Sequence, residues 1–164
     1  MIDIDPIEDE RGFFATAWTR RAFEERGLTG EFVQCNTSLS KDTGTLRGMH
    51  FQNPPFQEAK LIRCIQGALY DVALDLRKDS PTYLTWEGIE LTAKNHRMVY
   101  LPEGVAHGFQ TLVENTEVFY LVSAYYDPAS QSGACWDDPA FGIQWPLPVS
   151  VLSEKDAGFA AWKV

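Results

Sequence analysis

The stretch Ala68-Leu69-Tyr70-Asp71-Val72-Ala73-Leu74-Asp75-Leu76 decides the fold class. It is apolar but for two aspartates and lies between a glycine and a turn-forming cluster, which marks a strand and not a helix. Strand alternation puts Asp71 and Asp75 on one face with Leu69 and Ala73, and Tyr70, Val72, Leu74 and Leu76 on the other. One of these two faces must be the core. If the acidic face turns inward, a small barrel holds carboxylates in its cavity, which is costly unless cations partner them. If it turns outward it is an ordinary solvated face, and this strand alone leaves both readings open.

Runs of the same kind extend on either side: Phe32 to Leu39, Thr45 to Phe51, Leu61 to Ile65, Leu84 to Leu91, Arg97 to Leu101, Gly108 to Val113 and Val118 to Tyr126. Each is short, rich in β-branched or aromatic residues, and bounded by Gly, Pro, Asn or Asp. Only Thr19 to Gly27 has a helical period, with Thr19 placed to cap it and Gly27 to stop it. Short strands at this spacing without alternating helices predict an all-β fold, an antiparallel β-sandwich or barrel of the jelly-roll type with one short N-terminal helix. A single domain over residues 1–164 is expected, with Pro128 to Pro148 as a closing flap or end segment. By parity Gln34, Asn36 and Ser38 share a face of their strand, as do Tyr120, Val122, Ala124 and Tyr126 of theirs.

The 164 residues carry 14 Lys and Arg against 23 Asp and Glu, a formal charge of −9, and 45% are hydrophobic. A chain of this length buries a sizeable core without disulfide or metal staples, and it is no disordered polymer. The acidic balance, without a basic cluster, argues against nucleic acid or an anionic membrane as partner. Cys35, Cys64 and Cys135 are odd in number and widely spaced, so reduced thiols and no zinc site are expected. The acidic N-terminus has no apolar signal region, and no run approaches the roughly 18–20 apolar residues of a membrane span, so the expectation is a cytoplasmic protein.

Chemistry-bearing residues cluster in a few motifs. In Leu46-Arg47-Gly48-Met49-His50-Phe51-Gln52, alternation puts Arg47 and His50 on opposite faces, so their convergence requires a bulge, for which Gly48 is suited. A strand histidine is either a hydrogen-bonded structural residue or a base. Lys60, at the head of the apolar run Leu61-Ile62-Arg63-Cys64-Ile65, is either a rim residue or, inside a cavity, the natural partner of Asp71 or of a developing oxyanion. Ser153 with Asp156 reads as a helix N-cap box. The functional reading has Asp156 accept a hydrogen bond from one ring nitrogen of His50, leaving the other to take a proton.

The segment Pro102-Glu103-Gly104-Val105-Ala106-His107-Gly108-Phe109 resembles the second half of the cupin signature. Metal-binding cupins supply His-x-His and a Glu in the first half, whereas here His50-Phe51-Gln52 stands in that place. Two histidines alone lack the three or four ligands that fix a catalytic metal, so no metal is expected.

In chain order, Asp9-Glu10-Arg11-Gly12-Phe13-Phe14, the alternating Gln34, Asn36, Ser38 and Ser40, Leu46 to Gln52, Gln57-x-x-Lys60-Leu61, Asp71 to Thr82, Pro102 to Phe109, Tyr125-Tyr126-x-Pro128, Ile143-x-Trp145-Pro146 and Leu152-Ser153-x-Lys155-Asp156 resemble the dTDP-4-dehydrorhamnose 3,5-epimerase family. The resemblance covers residues 9 to 156. It implies a cofactor-free and metal-free jelly roll, usually a homodimer, that epimerises C3 and C5 of a nucleotide-linked 4-keto-6-deoxyhexose through an enolate. It also implies roles: His50 as base, Asp156 as its orienter, Lys60 as donor to the enolate oxygen, Tyr120 as acid and Asp71 in support. By the same resemblance Arg11, Arg47 and Lys155 contact the diphosphate, Gln34, Asn36 and His107 contact the sugar or substrate, and Tyr126 stacks on the base or lines the wall. Read from its strand alone, Tyr120 would be an ordinary core aromatic.

The chain departs from the family at Thr16 and Gln131, each standing where rhamnose-pathway enzymes carry a Glu on the substrate or nucleotide side. The alternatives are a C3-only epimerase, an epimerase of a CDP- or GDP-linked sugar, a metal-dependent cupin oxygenase and a non-catalytic sugar-nucleotide binding module.

Overall fold

Two antiparallel sheets face each other in the computed structural model, which describes residues 1–163. A hairpin of β1 (Ile7–Asp9) and β2 (Gly12–Phe14) leads into α1 (Arg20–Glu24), a single turn whose first orphan donors are met by the Thr19 hydroxyl accepting from the Ala22 N–H. The four-stranded sheet has the order β3 (Gln34–Ser40), β10 (Thr116–Val122), β5 (Lys60–Gln66), β8 (Met98–Leu101). The five-stranded sheet runs β11 (Gln131–Gly133), β4 (Leu46–Gln52), β9 (Val105–Thr111), β6 (Ala68–Asp75), β7 (Trp86–Thr92). A second short helix, α2 (Glu154–Ala157), packs beside β4.

The strands follow the alternation read from the sequence, with ends shifted by a few residues. β9 starts three residues before the expected Gly108, because Val105, Ala106 and His107 continue the ladder opposite Asp75, Leu74 and Ala73. Every residue of β9 is buried, as befits the middle strand of its sheet. The last expected strand stops at Val122, so Tyr126 lies beyond it, in the loop after β10.

The expectation that only one face of Ala68–Leu76 is core is overturned. Leu69 packs between the sheets with Ile62, Cys64, Val99, Leu101, Phe109 and Val118, and Asp71 is buried on that same inner face. Val72 and Leu74, on the outer face, pack with Met49, Ala134, Phe141 and Ile143. The stretch expected as a flap is therefore a third layer covering the five-stranded sheet, and it contributes the short strand β11. On the opposite side α1 and the N-terminal segment cover part of the four-stranded sheet through Phe23, Trp18, Leu28 and Phe32.

Candidate active site

The pairing of β4 with β9 slips between Arg47 and His50, where Gly48 takes a φ of 137°. A side chain at Gly48 would lie 2.5 Å from the Gly108 Cα, so the two backbones meet there only because neither residue bears one. This slip brings Arg47 and His50 to one cavity, as the sequence required. That cavity, of about 580 Å³, is also lined by Lys60, His107, Tyr120, Tyr126, Gln131, Lys155 and Asp156. A second lobe of about 320 Å³ shares His50, Lys60, Tyr120, Tyr126 and Gln131 and adds Gln34, Asn36 and Glu58.

His50 Nε2 lies 2.6 Å from Asp156 Oδ1. An ionised carboxylate only accepts, so Nε2 carries the hydrogen and Nδ1 is left to take a proton. Both readings of Ser153 and Asp156 hold together: the Asp156 N–H donates to Ser153 Oγ at 3.1 Å, capping α2, while its side chain meets His50. The Gly48 N–H donates to Asp156 Oδ2 at 3.2 Å. Burial alone would raise the Asp156 carboxyl, but the His50 hydrogen bond and charge, with Gly48 and Ser153, outweigh it and hold it below the usual carboxylate range.

Lys60 and Tyr120 belong to the opposite wall. Val122 pairs with Lys60 and Tyr120 with Ile62 on the adjacent strands β10 and β5, so Lys60 and Tyr120 are diagonal neighbours on the inner face of the four-stranded sheet. Asn36 and Gln34 pair with Tyr120 and Val122 from the other side, and the Gln34 amide donates to Asn36 Oδ1 at 2.8 Å. The base candidate thus stands on one sheet and the acid candidate on the other. Burial first, and then the charge of Glu58, push the Tyr120 phenol above its ordinary value, with Arg47 opposing.

The pairing of Lys60 with Asp71, one of the alternatives open to that lysine, is not formed. Lys60 Nζ lies 3.1 Å from Glu58 Oε1, and Asp71 accepts from His107 Nε2 at 2.8 Å. The reason is alternation: Glu58 stands two residues before Lys60 on the same face, whereas His107 reaches Asp71 from the neighbouring strand. Sequence reasoning missed Glu58, although the Glu58-x-Lys60 spacing carried the signal.

Arg11 and Thr16, expected at the substrate, lie outside both lobes. Both are exposed, and the Arg11 guanidinium folds back onto Asp9 of its own hairpin. Gln131 lines both lobes, and its Oε1 accepts from the Tyr126 hydroxyl at 2.8 Å and from Lys155 Nζ. Arg47 donates to Ser40 Oγ and to the Leu39 carbonyl, which turns its guanidinium along the rim. Among the described residues no group of three or more His, Cys, Asp or Glu could hold a metal ion. No described helix is long and apolar enough to cross a membrane.

A His–Asp dyad facing a Tyr and a Lys across a jelly-roll cavity is an arrangement with which a protein can take up a proton on one wall and give one from the other. The family model for dTDP-4-dehydrorhamnose 3,5-epimerase matches residues 1–163, and the chain belongs to that family of isomerases. The dTDP-4-dehydrorhamnose 3,5-epimerase of Salmonella typhimurium strain LT2 is 47% identical over 151 residues, spanning 91% of this chain and 82% of that protein. The crystal structure of the Bacillus anthracis epimerase with TDP and PPi bound is 45% identical, with a TM-score of 0.94 over 98% of this chain and 91% of that one. The dTDP-6-deoxy-D-glucose-3,5-epimerase of Legionella pneumophila, solved in complex with dTDP-4-keto-L-rhamnose, is 38% identical, with a TM-score of 0.90 over 97% of this chain and 85% of that one.

Proposed function

We propose that the chain epimerises C3 and C5 of dTDP-4-keto-6-deoxyglucose, with His50 as base and Tyr120 as acid. The observation that carries this reading is the placement of those two groups on opposite sheets across one cavity. The C4 ketone acidifies the hydrogens on C3 and C5, yet imidazole is a weak base for carbon, and each pKa unit left uncorrected costs about 1.4 kcal/mol. His50 Nδ1 takes the proton from carbon, and the electron pair of that C–H bond moves to the C4 oxygen as an enolate. The Lys60 ammonium stabilises that oxygen, and Asp156 stabilises the imidazolium formed. Tyr120 returns a proton to the opposite face of the carbon, and the enolate electrons re-form the ketone. Arg47 and Lys155 hold the diphosphate; Gln34, Asn36 and His107 hold the sugar, and Tyr126 lies against the base.

Incubation of the protein with dTDP-4-keto-6-deoxyglucose in deuterium oxide tests this. Two labelled carbons support the reading, one replaces it with a C3-only epimerase, and none removes both. His50→Ala is expected to abolish exchange with little change in dTDP affinity, while Arg47→Ala mainly weakens binding; the reverse pattern overturns the roles.

The reading extends to a homodimer in the cytoplasm. Ile7 and Phe14 are each 70% exposed on the hairpin, and Val33, Leu39, Ile65 and Phe119 are exposed on or beside the four-stranded sheet. A second copy would cover such apolar surface, and its hairpin would bring Arg11 and Thr16 to this cavity. Sedimentation velocity at micromolar concentration is expected to give twice the chain mass. The thiols of Cys35, Cys64 and Cys135 are unbridged, which fits a reducing compartment.

A further inference from the structure

Lys60 does not face the cavity alone. Its ammonium and the Glu58 carboxylate are 3.1 Å apart, with side chains only 9% and 12% exposed. Ala59 is tied to Ser123 by one backbone and one side-chain hydrogen bond: the Ser123 N–H donates to the Ala59 carbonyl at 3.0 Å, and the Ala59 N–H donates to Ser123 Oγ at 2.8 Å. That prolongs the β5–β10 ladder beyond Lys60, so alternation points Glu58 and Lys60 the same way. Glu58 is anchored in turn. Its Oε2 is 3.5 Å from Gln52 Nε2, and buried Gln52 is tied to the Phe56 and Tyr125 carbonyls and to the Asp127 N–H.

We propose that Glu58 is a positioning residue for the reaction, holding the Lys60 ammonium against the wall beside Tyr120 and setting the charge that the phenol meets. The inference rests on the acid–base reading above. An unpaired lysine in a half-dry cavity has a flexible four-carbon stem and no fixed direction; a carboxylate two residues away removes that freedom before substrate arrives. The same carboxylate adds to burial in opposing ionisation of Tyr120, which extends to higher pH the range over which the phenol can donate. The groups facing the phenol are Glu58 and Lys60 from the β5 side, Arg47 and His50 from β4, His107 from β9, Lys155 and Asp156 from α2, and Tyr126 from the loop after β10. The cations among them favour the phenolate. Glu58 is the carboxylate that acts on Tyr120 directly, Asp156 being committed to His50.

The test is the pH dependence of solvent deuterium incorporation into dTDP-4-keto-6-deoxyglucose by the wild-type protein, Glu58→Gln, Glu58→Asp and Tyr120→Phe. Tyr120 acts protonated, so activity is lost as pH rises through its titration, and removing a neighbouring negative charge moves that loss to lower pH. Glu58→Gln keeps the volume and is expected to shift the alkaline limb of kcat down by about one pH unit, a roughly tenfold loss at a fixed pH above the limb. Its dTDP affinity by calorimetry is expected to stay within about threefold, since the diphosphate contacts lie elsewhere. Glu58→Asp, which keeps the charge on a shorter arm, is expected to lower kcat while leaving the limb where the wild type has it. A limb that does not move in Glu58→Gln, or that persists in Tyr120→Phe, overturns the proposal. Absence of exchange in the wild type overturns the underlying functional reading instead.

Discussion

His50 and His107 are register partners across β4 and β9, and each meets a carboxylate, yet they differ in access, and the proposed role of base falls to the more open one. The side chain of His50 is 29% exposed against 11% for His107. Asp156 approaches His50 from a helix outside the sheet, leaving the inner edge of the ring open, while Asp71 binds His107 from inside the sandwich. Because His50 and Asp156 are 106 residues apart, no local spacing could fix their contact, and the sequence offered it only as one of two readings of Asp156; strand parity set Arg47 and His50 apart, and Gly48 marked only where a bulge could bring them together. Replacing Asp156 with Asn keeps an oxygen that can accept from Nε2 but removes the charge that stabilises the imidazolium. The expected outcome is a kcat for exchange lower by roughly 100- to 1,000-fold with dTDP affinity nearly unchanged, read by NMR of the sugar protons in deuterium oxide. A loss under about threefold would mean that the Asp156 charge does not support the proton transfer at His50.

Strands long enough to show alternation were readable, and shorter elements were not. β1, β2 and β11 are three residues each, below the length at which a period can be recognised, and they are fixed by pairing rather than by their own composition. The opposite holds for the turn after β6, whose Asp75-x-Arg77-x-x-Ser80-Pro81-Thr82 pattern is local. There Asp75 accepts from the Arg77 N–H and guanidinium and from the Ser80 and Thr82 hydroxyls, at 2.6 to 2.9 Å. The Arg77 guanidinium foremost, then against burial the Ser80 and Thr82 hydroxyls, hold its carboxyl well below the ordinary value of 3.8. A depressed folded-state pKa gives stability that is present above the unfolded value and lost as pH falls toward the folded one. Asp75→Asn is therefore expected to cost about 2–3 kcal/mol at pH 7 by urea unfolding. The gap between variant and wild type should narrow as pH drops below about 4. A gap independent of pH would show that the carboxylate charge is not what orders the turn.

At the scale of the whole molecule, the sheets acquire their second buried face from chain that is not itself regular structure. Segments after β11 lie across the outer side of the five-stranded sheet, where Phe141 meets Trp162 at a tilt with centroids 5.8 Å apart and Trp162 meets Phe51 edge-on at 6.4 Å. This layer was not legible because its residues have no period, and the two-faced burial of β6 could be seen only once the cover was in place. The cover also reaches the site: Phe159 stands 6.1 Å from the His50 ring, centroid to centroid, and packs over Gly133. Asp138, 4% exposed, ties the layer together by accepting from the Trp162 N–H at 2.5 Å and the Ala140 N–H at 2.8 Å. Asp138→Ala removes two charge-assisted hydrogen bonds, from the half-buried Trp162 and the exposed Ala140, at a cost of about 2–3 kcal/mol. For a chain of this size that is roughly 5–10 °C of melting temperature by circular dichroism. Asp138→Asn keeps one oxygen and should lose about half as much. If the layer were instead held by its aromatic contacts alone, the alanine variant would melt within about 1 °C of wild type, and the buried carboxylate would be structurally idle.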